Sequence, residues 1–352
     1  MLLFRRLVLL SPIFIASVTF AEVTAGVIIP LSGPGATYGI GCRNGVLLAL
    51  EELKDKINGR FKIVFEDDQN SPTRTISSLR KLNAVSKTEF VLTFASNTSN
   101  ALSPLADREN FIHFALATDP LVVKGKKNAF NYWVTPSEEA KTLVAELKRR
   151  NIKRIAVYTA QQDGTLAMGS EFLKVSKESG LEVVTNQEVP PDSRDFRSLL
   201  AKLALIKNLD GIFNNLYIEQ GGIFARQARD RGFTIPIFNI ELYEDPALVE
   251  SAQGALEGQF YINAPTGEKN FSKRYFAKFP KDNLFTASNC YDFVGLLASS
   301  PELTVDGFRK YLENLKDYPG ASGKSSATGD HRFTLPAVVK EIRGKEFIEL
   351  ER

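Results

Sequence analysis

From residue 24 onward the chain alternates short apolar runs with longer amphipathic stretches. Thr24–Pro30, Phe61–Asp67, Phe90–Ala95 and Phe111–Ala117 are rich in Val, Ile and Phe. Their length and β-branched content predict parallel strands buried on both faces. Between the first two, Cys42–Ile57 carries Val46, Ala49, Leu50, Leu53 and Ile57 on one helical stripe. Between the next two, Ser71-Pro72 predicts a helix start, with Ile76, Leu79, Leu82 and Val85 facing inward. This βαβα series implies a parallel sheet covered by helices on both faces.

The pattern restarts after a changeover near residues 118–136. Thr135-Pro136-Ser137-Glu138 predicts a capping box opening a helix with Ala140, Leu143, Val144 and Leu147 on its apolar face. Strands are expected at Arg154–Ala160, Glu182–Val189, Gly211–Leu216, Pro236–Glu241 and Gln259–Ala264, separated by helical stripes. Later helices are expected at Ser272–Phe279, Thr286–Ser299 and Thr304–Leu315. A hairpin, Ala337–Ile342 with Glu346–Leu350, closes the chain, and Tyr318–Asp330 reads as a loop. The fold class is therefore α/β, with two doubly wound parallel-sheet lobes and a ligand cleft between them.

Residues 1–21 differ in kind. Arg5 and Arg6 precede the apolar run Leu7–Phe20, and Thr19-Phe20-Ala21 offers small residues for cleavage, the layout of an export signal. The run is shorter than the ~20 residues a spanning helix needs. Export places the mature chain in an oxidising compartment. The whole chain of 352 residues has 44 Lys plus Arg against 41 Asp plus Glu, so nothing in its charge favours nucleic acid as partner. Two cysteines and two histidines are too few for a zinc site or a histidine-rich metal centre, and neither metal nor cofactor is expected.

Enzyme signatures fail one by one. The loop from Gly33 to Tyr38 lacks the third glycine of a dinucleotide fingerprint, and Gly323-Lys324-Ser325 lacks the first glycine, strand and helix of a phosphate loop. No nucleophile elbow and no His-Glu-x-x-His occurs. His113, inside an apolar run, reads as a core residue, and so does Trp133. Asp67 and Asp68 are adjacent on a strand and point to opposite faces, so they do not make a catalytic pair.

The strand ends carry binding chemistry instead. Ser96-Asn97-Thr98-Ser99 follows one strand and opens a helix, so its hydroxyls and N–H groups make either an anion site or an ordinary cap. Thr118 follows the next strand. The second half supplies Tyr217 and Glu241, and a carboxylate in a cleft calls for a cation such as a ligand ammonium. Donors from one lobe facing an acid from the other make a clamp for an amino acid zwitterion.

The mature chain resembles the type I periplasmic binding proteins of the leucine/isoleucine/valine-binding family, substrate receptors of ABC importers. Val27 to Pro34, Tyr38-Gly39 and Asn44-Gly45 match the family's opening strand, loop and helix. Phe65-Glu66-Asp67-Asp68 with Asn70-Ser71-Pro72, and Ala117-Thr118-Asp119-Pro120, match later turns. The resemblance implies lobe one from 22–135 plus 265–335 and lobe two from 136–264 plus 336–352. It implies a carboxylate held by Ser96 and Thr118, a backbone carbonyl from Leu116, and an ammonium near Tyr217 and Glu241. Tyr38 would cover the ligand side chain and Tyr291 would approach the cleft, with Asn97 beside Ser96.

The implied function is capture of a small amino-acid-like ligand in the periplasm and delivery to a membrane permease, with no catalysis. The alternative is a periplasmic sensor serving a chemoreceptor or sensor kinase. Tyr38, Leu116 and Tyr291 favour an apolar or aromatic ligand side chain. Four departures bear on the ligand: Trp133-Val134-Thr135 replaces the usual Phe-Arg-Thr, Ser137-Glu138 replaces an Asp, Leu116 is bulkier than usual, and Asp163 stands where a tyrosine is common. The resemblance also returns the late helix bearing Cys290 to the lobe of Cys42, leaving open a disulfide or two buried thiols.

Overall fold

The computed structural model describes residues 23–33, 35–85, 87–265, 269–344 and 346–351, and the expected export signal lies outside them. Lobe one opens with β1 (Val23–Ile29), α1 (Ala36–Glu52), the single turn α2 (Lys54–Ile57), β2 (Phe61–Asp67) and α3 (Pro72–Val85). It continues through β3 (Thr88–Phe94), α4 (Ser96–Glu109), β4 (Ile112–Leu116) and the short β5 (Ala129–Asn131). The five strands are parallel in the order β2-β1-β3-β4-β5.

Lobe two begins at α5 (Pro136–Arg149), where the Thr135 hydroxyl accepts from Glu138 N as the capping pattern predicts. Then come β6 (Arg154–Ala160), α6 (Asp163–Glu178), β7 (Glu182–Val189), α7 (Arg197–Leu203), β8 (Gly211–Asn215) and α8 (Glu219–Asp230). After β9 (Ile237–Phe238), α9 (Pro246–Ala252) and β10 (Phe260–Asn263) the chain recrosses. Its parallel sheet has the order β7-β6-β8-β9. Returning to lobe one, α10 (Lys269–Lys278), α11 (Ala287–Ser299) and α12 (Val305–Glu313) follow. A last pass gives the antiparallel hairpin β13 (Val338–Arg343) and β14 (Glu346–Glu349), in which β13 also pairs antiparallel with β10.

Two expectations change. Tyr318–Asp330, read as a loop, contains an antiparallel pair, β11 (Tyr318–Gly320) and β12 (Gly323–Ser325). The buried Asp292 carboxylate organises it by accepting from Ala321 N and Ser322 N, a contact local composition cannot show. The strand expected at Pro236–Glu241 shrinks to β9, and Glu241–Glu244 forms a 3-10 turn.

One core joins the β1, β3 and β4 strands to α1, α11 and α12, and two more fill lobe two. Gly45 lets α1 and α11 touch: a Cβ there would sit 2.0 Å from the Ala287 carbonyl. Along the same seam Cys42 and Cys290 are bonded, with Cα atoms 5.2 Å apart.

In each sheet the strand order reverses beside the first strand of its lobe. That places a crevice at the carboxyl ends of β1 and β3 in one lobe and of β6 and β8 in the other. The two crevices face each other.

Candidate functional site

The first turn of α1, the end of β3, the start of α4, the ends of β4 and β8, the start of α6 and the 3-10 turn after β9 line a cavity of 60 Å³. Its polar lining is Ser96, Asn97, Thr118, Gln162, Asp163, Thr165, Tyr217 and Glu241, and its apolar lining includes Tyr38, Phe94, Leu116, Trp133 and Phe285. No Lys, Arg or His is among the described lining residues.

Glu241 is the centre of charge. It is 4% exposed, and its Oε1 accepts from Thr118 Oγ1 at 3.0 Å across the cleft. Burial raises its carboxyl above the ordinary range, and hydrogen bonding from Glu139, its own backbone, Thr118 and Trp133 works the other way. Glu139, on the first turn of α5, is fully buried beside it. Burial, and then the charge of Glu241, keep the proton on Glu139 well above the usual carboxyl range.

The opposite wall is the N-terminus of α4. Ala95, which precedes it, is held at φ 74° and ψ 149°, a conformation costly for a residue with a side chain. Ile218, next to Tyr217 at the start of α8, is held at φ 46° and ψ −134°. Such strain gathers where a surrounding structure over-determines a functional backbone. Ser96 Oγ accepts from Asp119 N at 3.1 Å, which ties the two expected carboxylate-binding turns together. Asn97 donates to the Asn70 carbonyl at 3.2 Å, and Asn70 Nδ2 reaches Tyr217 Oη at 2.9 Å on the other lobe.

Seven of the eight expected site residues, Tyr38, Ser96, Asn97, Leu116, Thr118, Tyr217 and Glu241, line the one cavity. The eighth does not. Tyr291 lies on α11 with its hydroxyl on Glu52 at 2.8 Å and its ring edge-on to Phe271, away from the cavity. Phe285 and Trp133 supply the aromatic walls instead, so Trp133 is a lining residue as well as a core one. The carbonyl of Leu116 already accepts from Ala95 N at 3.0 Å and retains one lone pair for a ligand. Thr98 and Ser99 turn inward: Thr98 bonds the Ala95 carbonyl at 3.1 Å, and Ser99 joins a buried chain through Thr93 to His113. Burial pushes the His113 imidazole down to about 3, so it stays neutral in the core. Asp67 and Asp68 serve different loops, Asp67 accepting from Leu31, Ser32 and Gln69 and Asp68 from Asn70 and Thr75.

Sequence reading missed Glu139. The departure Ser137-Glu138 was visible one residue away, but the capping pattern accounts for Glu138 and hides its buried neighbour.

Two lobes closed on a cavity at their facing strand ends make a ligand-binding protein. The chain belongs to the periplasmic binding protein family, whose model matches residues 22–346. The Leu/Ile/Val-binding protein BraC3 of Rhizobium johnstonii is 26% identical over 344 residues, covering 92% of each chain. The branched-chain amino acid transporter substrate-binding protein LivJ of Streptococcus pneumoniae, solved with isoleucine, superposes with a TM-score of 0.83 at 21% identity over 94% of this chain and all of that one. A solute-binding protein of an ABC transporter from Rhodopseudomonas palustris, solved with 3,4-dihydroxybenzoic acid, gives 0.82 at 19% identity, covering 94% of this chain and 96% of that one. At such identities the structural likenesses establish the fold. Among the described residues no helix is long and apolar enough to cross a membrane.

Proposed function

We propose that this protein is the periplasmic substrate-binding component of an ABC importer, capturing a small amino acid and presenting it to a membrane permease. The observation that carries the ligand class is Glu241: a buried acid in a cavity whose described lining holds no basic side chain. A purely anionic ligand would meet that acid with no cation to offset it, whereas an ammonium pairs with it. The N-terminus of α4 and the Ser96 hydroxyl, whose proton is left free by its bond from Asp119 N, then face the carboxylate end. Tyr38, Phe94, Leu116, Trp133 and Phe285 leave an apolar space for the side chain.

A thermal-shift screen of ligand-free protein against amino acids, amides, aromatic acids and sugars tests this. Apolar or aromatic amino acids should give the largest shifts, with several related ones binding, because one methylene is worth only about 1–3 kcal/mol in such a pocket. Exclusive binding of an aromatic acid or a sugar would overturn the reading. Calorimetry on Glu241→Ala with the best ligand should show a loss of about 2–5 kcal/mol in binding, with the fold intact. Equal affinities would remove Glu241 from the ligand.

A further inference from the structure

Two carboxyl groups meet in the core of the site. Glu139 reaches in from the first turn of α5 and Glu241 from the 3-10 turn after β9, within hydrogen-bonding reach of each other. Both are buried, at 0% and 4% exposure. Apart from each other and the Trp133 indole, Oε2 of Glu241 and both carboxyl oxygens of Glu139 have no hydrogen-bond partner among the described residues. Among the described residues no cation offsets the pair. The groups facing it are the Thr118 hydroxyl from the end of β4, the Trp133 indole N–H ahead of α5, and the Tyr38 phenol from α1, with Asp245 beyond Tyr38. From α6, Asp163 is held by Asn100. From β10 and β13, Tyr261 and Lys340 are both taken up by Glu244, and Glu341 by Arg343.

Two adjacent carboxylates in a dry site cannot both ionise, so one proton bridges them. We infer that Glu139 holds this proton for Glu241 in the ligand-free protein, and that a ligand's cationic group displaces it, so that capture is coupled to proton release. The step breaks only the O–H bond of Glu139. The proton passes to solvent, and the ligand ammonium takes over as the positive partner of the carboxylate pair. A nearby cation favours the ionised acid, so affinity must rise with pH wherever the ligand lowers the pKa of the pair. Glu139 is a positioning residue, acting on the ligand through Glu241. The inference rests on the amino acid reading above and names the ligand's required feature, a group that is positive when bound.

The test is calorimetry of the wild-type protein with L-leucine, L-isoleucine and L-phenylalanine from pH 6 to 8.5, in buffers of differing ionisation enthalpy. Wild type should release protons on binding, and affinity should rise by up to about tenfold per pH unit where a whole proton leaves. Glu139→Gln, which keeps a donor for Glu241 but cannot titrate, should bind with a flat pH profile and no proton release. A flat wild-type profile without proton release, or the same slope in both proteins, overturns the inference. The wild-type proton count decides the matter even if the variant does not fold.

Failure of every amino acid to bind would overturn the functional reading, and ligand displacement with it. The bridging proton is tested separately on ligand-free protein. The unfolding midpoint of Glu139→Gln relative to wild type should climb steadily from pH 6 to 8.5. Parallel curves would show that no such proton exists.

Discussion

Asp292 illustrates how a single buried acid ties remote segments together. It is fully buried on α11 and accepts from Ala321 N at 2.6 Å, Ser322 N at 3.0 Å and the Tyr132 hydroxyl at 3.1 Å. Burial raises its carboxyl to about 6, although these donors favour the charged form. The folded protein therefore keeps the proton to higher pH than the unfolded chain. This site favours folding below the ordinary carboxyl range and gives up that contribution as pH climbs through about 6. Asp68, also raised to about 6, mainly by burial, acts in the same window. Asp292→Asn should flatten the decline of the unfolding midpoint between pH 4 and 7. It should also cost about 1–3 kcal/mol, because the amide cannot accept at both former oxygen positions. Thermal unfolding across pH checks both, and an unchanged slope would remove Asp292 from the titration.

At the scale of elements, the helix starts of the two lobes meet across the cleft. Gly164, on the first turn of α6, comes so close to the first turn of α4 that a Cβ there would lie 2.9 Å from Ser96 Oγ and 3.6 Å from Thr118 Cβ. Both neighbours belong to the other lobe, so the contact exists only with the lobes together. Gly164→Val should hold the cleft ajar, weakening ligand binding by more than about tenfold, or about 1.4 kcal/mol. The unfolding midpoint of the ligand-free protein should barely move, because no lobe core is touched. Titration and thermal unfolding on the same preparation separate these effects, and wild-type affinity would exclude α6 from closure.

At the scale of the whole molecule, hydrogen bonds bridge the lobes among the described residues, Asn70 to Tyr217, Asn100 to Asp163 and Thr118 to Glu241 among them. The covalent tie lies elsewhere. Cys42 and Cys290 join α1 to α11 inside lobe one, closing a sequence separation of 248 residues. Such a loop restrains the unfolded chain strongly, yet the bond lies within one lobe and does not tie the two lobes together. Denatured, unreduced protein should show no reactive thiol. Reduction should cost about 2–4 kcal/mol of stability while ligand affinity changes little. Two reactive thiols before reduction would contradict the bond.

Local pattern was enough for the elements whose causes are local. Phe61–Asp67, Arg154–Ala160 and Glu182–Val189 emerge with the bounds their apolar runs predict, and Thr135 caps α5 as its spacing requires. Strand alternation with helices dictated two parallel sheets, and sheet order then brought the strand-end residues from Tyr38 to Glu241 into one cavity. Residues whose role depends on a partner far along the chain were not legible. Tyr291 could not be told from Phe285, because both are aromatics near the start of a late helix and only packing selects which faces the cavity. Glu139 looks in sequence like any first-turn acid that favours a helix N-terminus. It becomes a buried carboxyl only where α5 meets the turn carrying Glu241, about a hundred residues later. The pairing of Cys42 with Cys290 likewise needed the approach of α1 and α11 that Gly45 permits. Periodicity records which face of an element is buried, and burial against a named partner is a property of the folded chain.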